Sequence, residues 1–152
     1  MSPLSDDETV QALALQLRLL EEYYQDLSNR ESILLRLYGE DKASISSITA
    51  LKDSGRAELL VHLGGGAHLP VAYAGESRLI LDVGAGVSIE KTPDEAVAFL
   101  TARTKEIEEA LRAVTAQKEE VAKRIDLYRR QLTTAVVPRS AGEAAHPSSE
   151  EK

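Results

Sequence analysis

The sequence predicts an α+β fold in which two long helices form an antiparallel coiled coil and two β-hairpins are inserted between them. Two observations support this prediction. Apolar residues recur at alternating steps of three and four in both halves of the 152-residue chain, and a twenty-residue pattern is repeated between those halves. Aromatic residues make up only 4% of the chain and charged residues 28%, a balance typical of long helices rather than of a large packed core.

Residues 1–56 are predicted to form the N-terminal helix of the coiled coil. Asp6, Asp7 and Glu8 can cap its free N–H groups and complement its dipole. Ten of twelve positions at heptad spacing are apolar or aromatic, which indicates a narrow seam. The seam comprises Val10, Leu13, Leu17, Leu20, Tyr24, Leu27, Glu31, Leu34, Tyr38, Asp41, Ile45 and Ile48. Gly39 lies within this helix and lowers helix stability by about 1 kcal/mol relative to Ala, which makes it a candidate position for a bend.

Residues 57–91 are predicted to form two tandem β-hairpins. Shifted by twenty positions, Leu59–Leu69 lies on Leu79–Ile89, and the turns fall on Gly64, Gly65, Gly66, Gly84 and Gly86, because glycine supplies the positive φ of tight hairpin turns. Period-two alternation gives each hairpin an apolar face that so small a sheet cannot bury alone. We therefore expect oligomerisation through Leu59, Val61, Leu63, Leu69, Val71, Leu79, Leu81, Val83, Val87 and Ile89.

Residues 92–137 are predicted to form the second helix of the coiled coil. Thr92, Pro93 and Glu95 have the spacing of a capping box with proline at the first helical position. Nine of eleven seam positions fit the heptad, namely Val97, Leu100, Thr104, Ile107, Leu111, Val114, Lys118, Val121, Ile125, Tyr128 and Leu132. The helix is expected to stop at Val136-Val137-Pro138, and residues 138–152 are expected to be a disordered tail.

Antiparallel pairing of the two helices also predicts contacts between charged seam positions. With Ile48 matched to Glu95, Glu31 is expected near Arg112, and Lys118 near Asp26 or Glu22. Opposite charges at these places would support the register.

The composition argues against several classes of function. A net charge of −7 without a basic block argues against nucleic acid or a membrane as partner, and the lack of Cys excludes disulfides and thiol chemistry. The chain has no run of 18 apolar residues and begins without an apolar leader, so we expect a soluble cytoplasmic protein.

No catalytic, cofactor or metal site is expected either. Both glycine runs lead into strands and therefore offer no helix N-terminus to a phosphate. His62 and His68 can approach each other across the first hairpin, but two imidazoles make a weak metal site, and His146 lies in the tail. No base or carboxylate pair accompanies the hydroxyl groups, so an enzyme is not predicted.

Apolar side chains gather where the two helices reach the chain termini. Leu4, Val10, Leu13, Leu17, Tyr128, Leu132, Val136 and Val137 share this end. They form either an ordinary frayed coiled-coil end or an apolar clamp that binds a substrate protein. The sequence leaves both readings open.

The motifs resemble the prefoldin family, alpha type. The resemblance rests on Leu63-Gly64-Gly65-Gly66, on Val83-Gly84-Ala85-Gly86-Val87, and on the run Glu90 to Ala96, and it covers about Val10 to Leu132. The first turn reads Gly-Gly-Gly where the family more often has Gly-Ala-Gly.

The resemblance implies an ATP-independent holding chaperone of two alpha and four beta subunits. Its hairpins would join into a β-barrel platform between subunits, and its helix tips would bind unfolded proteins and deliver them to a group II chaperonin. The alternative is a structural or adaptor protein that oligomerises through its hairpins.

Overall fold

The computed structural model describes residues 6–75 and 77–143, with side chains as far as Val136. Its elements are α1 (Asp6–Ser54), β1 (Arg56–Gly64), β2 (Ala67–Ala74), β3 (Leu79–Gly84), β4 (Val87–Lys91) and α2 (Pro93–Glu143). β1 pairs with β2 and β3 with β4, each pair antiparallel. The order of helix, two hairpins and helix confirms the predicted fold class.

The chain divides into two compact units. The terminal unit contains residues up to Ser32 and from Arg112 onward, and the hairpin unit contains Ile33–Leu111. In the terminal unit, the core consists of Leu27, Val121 and Ile125, with Leu17, Leu20, Tyr24 and Val114 packed against it. In the hairpin unit, the buried apolar side chains include those of Ala96, Leu100 and Ile107. The first core joins α1 to α2, and Leu100 and Ile107 of the second lie on the seam of α2.

The predicted seams are the sides of the helices that are withdrawn from solvent. All twelve seam positions of α1 and all eleven of α2 are buried or half-buried. Outside the seam, Ser28 and Leu51 are the only described α1 residues that are not exposed. Because a stripe this narrow is the signature of a coiled-coil helix, the heptad spacing alone was enough to locate it.

The predicted pairing of Glu31 with Arg112 is wrong. Glu31 Oε2 lies 3.2 Å from Lys118 Nζ, and that ammonium group also lies 5.2 Å from the centre of the Tyr24 ring. Lys118 is a seam position, whereas Arg112 is exposed beside the seam. A register extrapolated from the hairpin end therefore missed the contact by six residues of α2.

The hairpin unit contains the second polar seam contact. Asp41, only 3% exposed, accepts a hydrogen bond from Arg103 Nε at 2.8 Å and a second one from Arg103 Nη2. The Arg103 guanidinium also lies 5.7 Å from the centre of the Phe99 ring. The carboxylate raises the pKa of Arg103 through this hydrogen bond. This two-point contact satisfies a carboxylate that would otherwise be buried alone.

The start of α2 has the predicted capping box. Thr92 N–H donates to Glu95 Oε2 at 3.1 Å, and Glu95 N–H donates to Thr92 Oγ1 at 3.2 Å. The hydrogen bond from Thr92 N–H lowers the pKa of the Glu95 carboxyl group. Pro93 occupies the first helical position, where its missing N–H leaves no intrahelical bond unmade.

The end of α2 differs from the prediction. The helix is assigned to Glu143 and so continues beyond Pro138, where the sequence indicated a stop. The φ of proline, near −65°, is compatible with a helix, but its ring removes one N–H and crowds the carbonyl group four residues earlier, so the helix continues through Pro138 at the expense of one backbone hydrogen bond. Residues 144–152 of the predicted tail lie outside the described residues.

The two hairpin turns repeat the same backbone geometry. Gly64, Gly65 and Gly66 have φ values of 98°, 58° and 80°, and the corresponding Gly84, Ala85 and Gly86 have 106°, 53° and 74°. Each turn also begins at a register shift, between His62 and Gly64 in the first hairpin and between Asp82 and Gly84 in the second. The twenty-residue sequence repeat is thus a repeat of structure. Among the residues that the structure describes, Ala85 alone combines a positive φ with a side chain.

Candidate functional site

The terminal unit contains an open apolar groove, which we call the terminal groove. It has a volume of about 480 Å³ and is lined by Leu17 from α1 and by Arg129, Leu132, Thr133 and Val136 from α2. Leu17 and Leu132 are half-buried, and Val136 is 49% exposed. Apolar surface is therefore held open to solvent beside the core of the helix pair.

The polar groups around the terminal groove are occupied by neighbours within the chain. Arg129 Nη2 lies 2.6 Å from Glu21 Oε1 of α1. The Thr133 hydroxyl group donates to the carbonyl oxygen of Arg129 at 2.9 Å. Arg129 and Thr133 each make a contact within the chain, and the other three lining side chains are aliphatic, so the groove offers mainly apolar contacts. Such a surface selects for hydrophobicity and not for a particular sequence.

A second, smaller groove lies between α1 and α2 in the same unit. Its volume is about 240 Å³, and its lining is Gln16, Leu19, Leu20, Arg124 and Tyr128. Leu19 is 55% exposed, so this groove also presents apolar surface to solvent.

The predicted substrate-binding residues are distributed unevenly over these features. Leu17, Leu132 and Val136 meet in the terminal groove, whereas Tyr128 lines the smaller one. Val10 and Leu13 are half-buried on α1 and line neither groove. Leu4 and the side chain of Val137 lie outside the described residues. The role of the set in binding stays a prediction.

Sequence reasoning missed several exposed apolar side chains in the terminal unit. They are Leu15, Leu19, Tyr23 and Leu127, which are 44–58% exposed. None of them lies at a seam position, and the heptad pattern from which the binding residues were predicted identifies only seam positions. A search for apolar residues off the heptad would have found them, since such residues gain nothing from coiled-coil packing.

The hairpins also present apolar surface to solvent. On the predicted face, Leu59, Val61, Leu63, Leu69 and Val87 are 38–63% exposed, and Val71, Leu79, Leu81, Val83 and Ile89 are half-buried. Leu60 and Ile80 are even more exposed, at 70% and 76%, and they point to the other face. They are equivalent in the twenty-residue repeat, so each hairpin has apolar side chains on both faces.

The hairpin unit has a groove of its own beside β3. Its volume is about 520 Å³, and its apolar lining includes Ile48, Leu79, Leu81 and Leu100, with Arg103 at its polar side. The outer edge of β3 has no strand partner among the described residues, because β3 pairs only with β4. An apolar groove beside an unpaired strand edge is a surface that a further strand could extend.

Membrane spans and metal-binding clusters were sought in the part of the chain that the structure describes, and neither is present there. Neither α1 nor α2, as far as they are described, contains a segment that could span a membrane. No group of three or more His, Cys, Asp or Glu side chains there could hold a metal ion.

Comparison with known proteins assigns the family. A family model described as a prefoldin subunit matches residues 7–137. The prefoldin subunit alpha of Nitrosopumilus maritimus is 36% identical over 125 residues, covering 82% of this chain and 86% of the relative. That of Pyrococcus horikoshii is 28% identical over 122 residues, covering 79% and 82%.

A solved structure supports the fold. The cryo-EM structure of filamentous PFD from Methanocaldococcus jannaschii matches with a TM-score of 0.50 and 19% identity, over 82% of this chain and 98% of that one. The predicted resemblance is thus confirmed by the family model, by curated relatives and by the fold. The chain therefore belongs to the prefoldin family, as a subunit of the alpha type.

Proposed function

We propose that this chain is the alpha subunit of an ATP-independent holding chaperone that acts in the cytoplasm. Membership of the prefoldin family implies a chaperone function. In the proposed mechanism, the terminal groove binds exposed apolar segments of non-native proteins. The observation that carries this proposal is a groove whose apolar side chains are open to solvent while its polar groups are paired internally.

The chemistry of the groove suits clients of varied sequence. Burying one Leu or Val side chain against a client contributes at most about 1.5–3 kcal/mol, so a single groove binds weakly and releases readily. Several tethered grooves in one assembly would raise the overall affinity through effective concentration. Neither binding nor release then needs a nucleotide.

We also propose that the hairpins join this chain to other subunits. The exposed apolar residues of β1 and β2 support this part, because a monomer gains nothing by exposing them. By resemblance to the family, the partners are beta subunits in a hexamer of two alpha and four beta chains, and clients pass to a group II chaperonin. A structural or adaptor role remains the competing proposal.

Client binding is tested by changing the terminal groove alone. The double variant L132S/V136S removes apolar surface there, and I33S/L35S makes a comparable change at exposed positions of the hairpin unit, where Ile33 and Leu35 are 52% and 53% exposed. Circular dichroism checks that both variants stay helical. Suppression of the aggregation of a chemically denatured model protein should fall for the groove variant and be retained by the control.

The outcomes separate the two proposals. If the assembled groove variant protects the client as well as wild type does, the groove is not the binding surface. If wild type itself gives no protection, the adaptor role is favoured.

Assembly is tested on the two faces of the first hairpin. Val61→Asp places a charge on the predicted contact face, at a cost of several kcal/mol if that face is buried in the complex. Leu60→Asp makes the matched change on the opposite face. The native mass of the complex with a beta subunit should collapse for V61D and persist for L60D, and the reverse result would assign the contact to the other face.

A further inference from the structure

The first hairpin holds a pair of histidines directly opposite each other. His62 of β1 is in register with His68 of β2, immediately before the turn. The ring centres are 5.0 Å apart, and His62 Nδ1 lies 3.3 Å from His68 Nε2. Both side chains are exposed, so solutes can reach the two nitrogen atoms. We propose that this pair is a binding site for a divalent transition-metal ion that accepts imidazole ligands, such as Zn²⁺, Ni²⁺ or Cu²⁺.

The separation of the nitrogen atoms suits a shared metal ion. A zinc–imidazole bond is about 2.0–2.1 Å long, so an ion bonded to two nitrogens 3.3 Å apart subtends an N–metal–N angle of about 105°. This angle is close to that of a tetrahedral site. The strand register places the two exposed imidazole rings opposite each other, so binding needs only rotations of the two side chains and no change of the backbone.

A second hydrogen bond of His68, made by its other ring nitrogen, fixes the ring in the tautomer that can bind a metal through Nε2. His68 Nδ1 lies 3.1 Å from the carbonyl oxygen of Gly66. A carbonyl oxygen only accepts, so Nδ1 carries the proton, and in the neutral ring the lone pair of Nε2 is on the side of His62. Metal-binding histidines typically donate their second N–H to a carbonyl or carboxylate in this way. The positive φ of 80° at Gly66 belongs to the turn that brings this carbonyl within reach.

Binding also requires a tautomer change at His62. In the metal-free pair, His62 Nδ1–H donates to His68 Nε2. When an ion binds both nitrogens, the His62 proton moves to Nε2, and no net charge is gained or lost by the two rings. Two neutral imidazoles fill two positions of the ion, and the remaining positions are left to water or to a ligand from a bound molecule. This open coordination distinguishes the pair from a closed structural site.

The second hairpin serves as an internal control. Asp82 and Ser88 take the places of the two histidines in the twenty-residue repeat, lie opposite each other in the register, and are joined by a hydrogen bond from the Ser88 hydroxyl group. The turn geometry of the two hairpins is nearly the same. At positions 82 and 88 the second hairpin therefore differs from the first in its side chains and not in its backbone. A pair of histidines placed there should bind a metal ion as the first pair does.

Calorimetric titration of the full chain with Zn²⁺ tests the proposal. We expect one ion per chain for wild type and for H146Q, which changes the third histidine. H62Q and H68Q should each bind at least about tenfold more weakly, because even loss of an outer-shell partner of a ligand costs 10–100-fold. The double variant D82H/S88H should bind a second ion. Circular dichroism confirms folding of each variant.

A second measurement locates the bound ion. Amide hydrogen exchange in β1 and β2 should slow on adding Zn²⁺, because the ion links the two strands, whereas β3 and β4 should be unaffected. The proposal is overturned if wild type binds no Zn²⁺, if H62Q and H68Q bind as wild type does, or if D82H/S88H gains no second ion.

Discussion

Removal of the Arg103 guanidinium should destabilise the hairpin unit far more than loss of any surface ion pair. The Asp41 side chain is 5% exposed and Arg103 is 40% exposed, so the two partners are not equivalent. Arg103→Met retains the apolar stem beside Phe99 but leaves the Asp41 carboxylate buried without its two hydrogen bonds. Breaking a buried pair in this way costs about 3–5 kcal/mol.

The structure also predicts an asymmetry between the two single variants. Asp41→Leu leaves Arg103 unpaired, but that side chain can turn its guanidinium to water, so the loss should be clearly smaller than for Arg103→Met. The double variant D41L/R103M removes both polar partners and should recover most of the stability, because apolar replacement of a buried pair is often neutral. The exposed pair of Arg36 and Glu40, whose Nη1 and Oε1 atoms lie 3.3 Å apart, provides the control. R36M should lower the free energy of unfolding by at most about 0.5 kcal/mol.

Urea unfolding of the full chain, followed by circular dichroism at 222 nm, measures these differences. The reasoning is refuted if R103M costs no more than R36M, since the carboxylate would then be solvated in solution. It is equally refuted if D41L costs as much as R103M, because the predicted asymmetry comes directly from the different burial of the two groups.

Three further changes test the helices and turns by thermal unfolding. Gly39→Ala should raise stability by about 1 kcal/mol, since an added Cβ would meet nothing within 4 Å; an unchanged melting temperature would contradict this. Ala85→Gly should stabilise the second hairpin by roughly 1 kcal/mol, because a side chain is strained at a φ of 53°, and a loss of stability would show that the strain is not real. The lowered pKa of Glu95 means that its ionised form stabilises the fold above its ordinary pKa of 4.5 and that this contribution is lost as the pH falls through the lowered value. Glu95→Gln should therefore be less stable than wild type at pH 7 and lose that deficit in acid, and a deficit independent of pH would refute the assignment.

Periodicity made the helices and hairpins predictable, but it could not fix how the helices are matched. Every seam position from Val10 to Leu132 follows from steps of three and four, because burial in a two-helix coil depends on the angle around one helix alone. Register depends on both helices. The apolar pattern of one helix does not fix it, so the register extrapolated from Ile48 and Glu95 misplaced the partner of Glu31 by six residues.

The candidate surfaces were predicted where they follow the periodic pattern and missed where they depart from it. Strand alternation identified Val61 and Leu69 but left Leu60 and Ile80 out of the predicted apolar face. The rule describes sheets with one solvated side, and these hairpins are apolar on both. The same rule placed His62 opposite His68 without showing that their nitrogen atoms converge, because ring orientation depends on the turn and on the carbonyl group of Gly66.

The polar seam contact in the terminal unit selects the register that builds the terminal groove. Glu31 and Lys118 are both half-buried, so a register that separated them would leave two charges poorly solvated and unpaired. The apolar residues around them would tolerate that shift much better, because one Leu or Val replaces another at each heptad step. Yet the shift would also move Leu17 away from Leu132 and Val136, whose meeting forms the groove. The charged pair therefore supports the proposed client binding indirectly. It favours the register of α1 against α2 in which Leu17, Leu132 and Val136 meet and face solvent together.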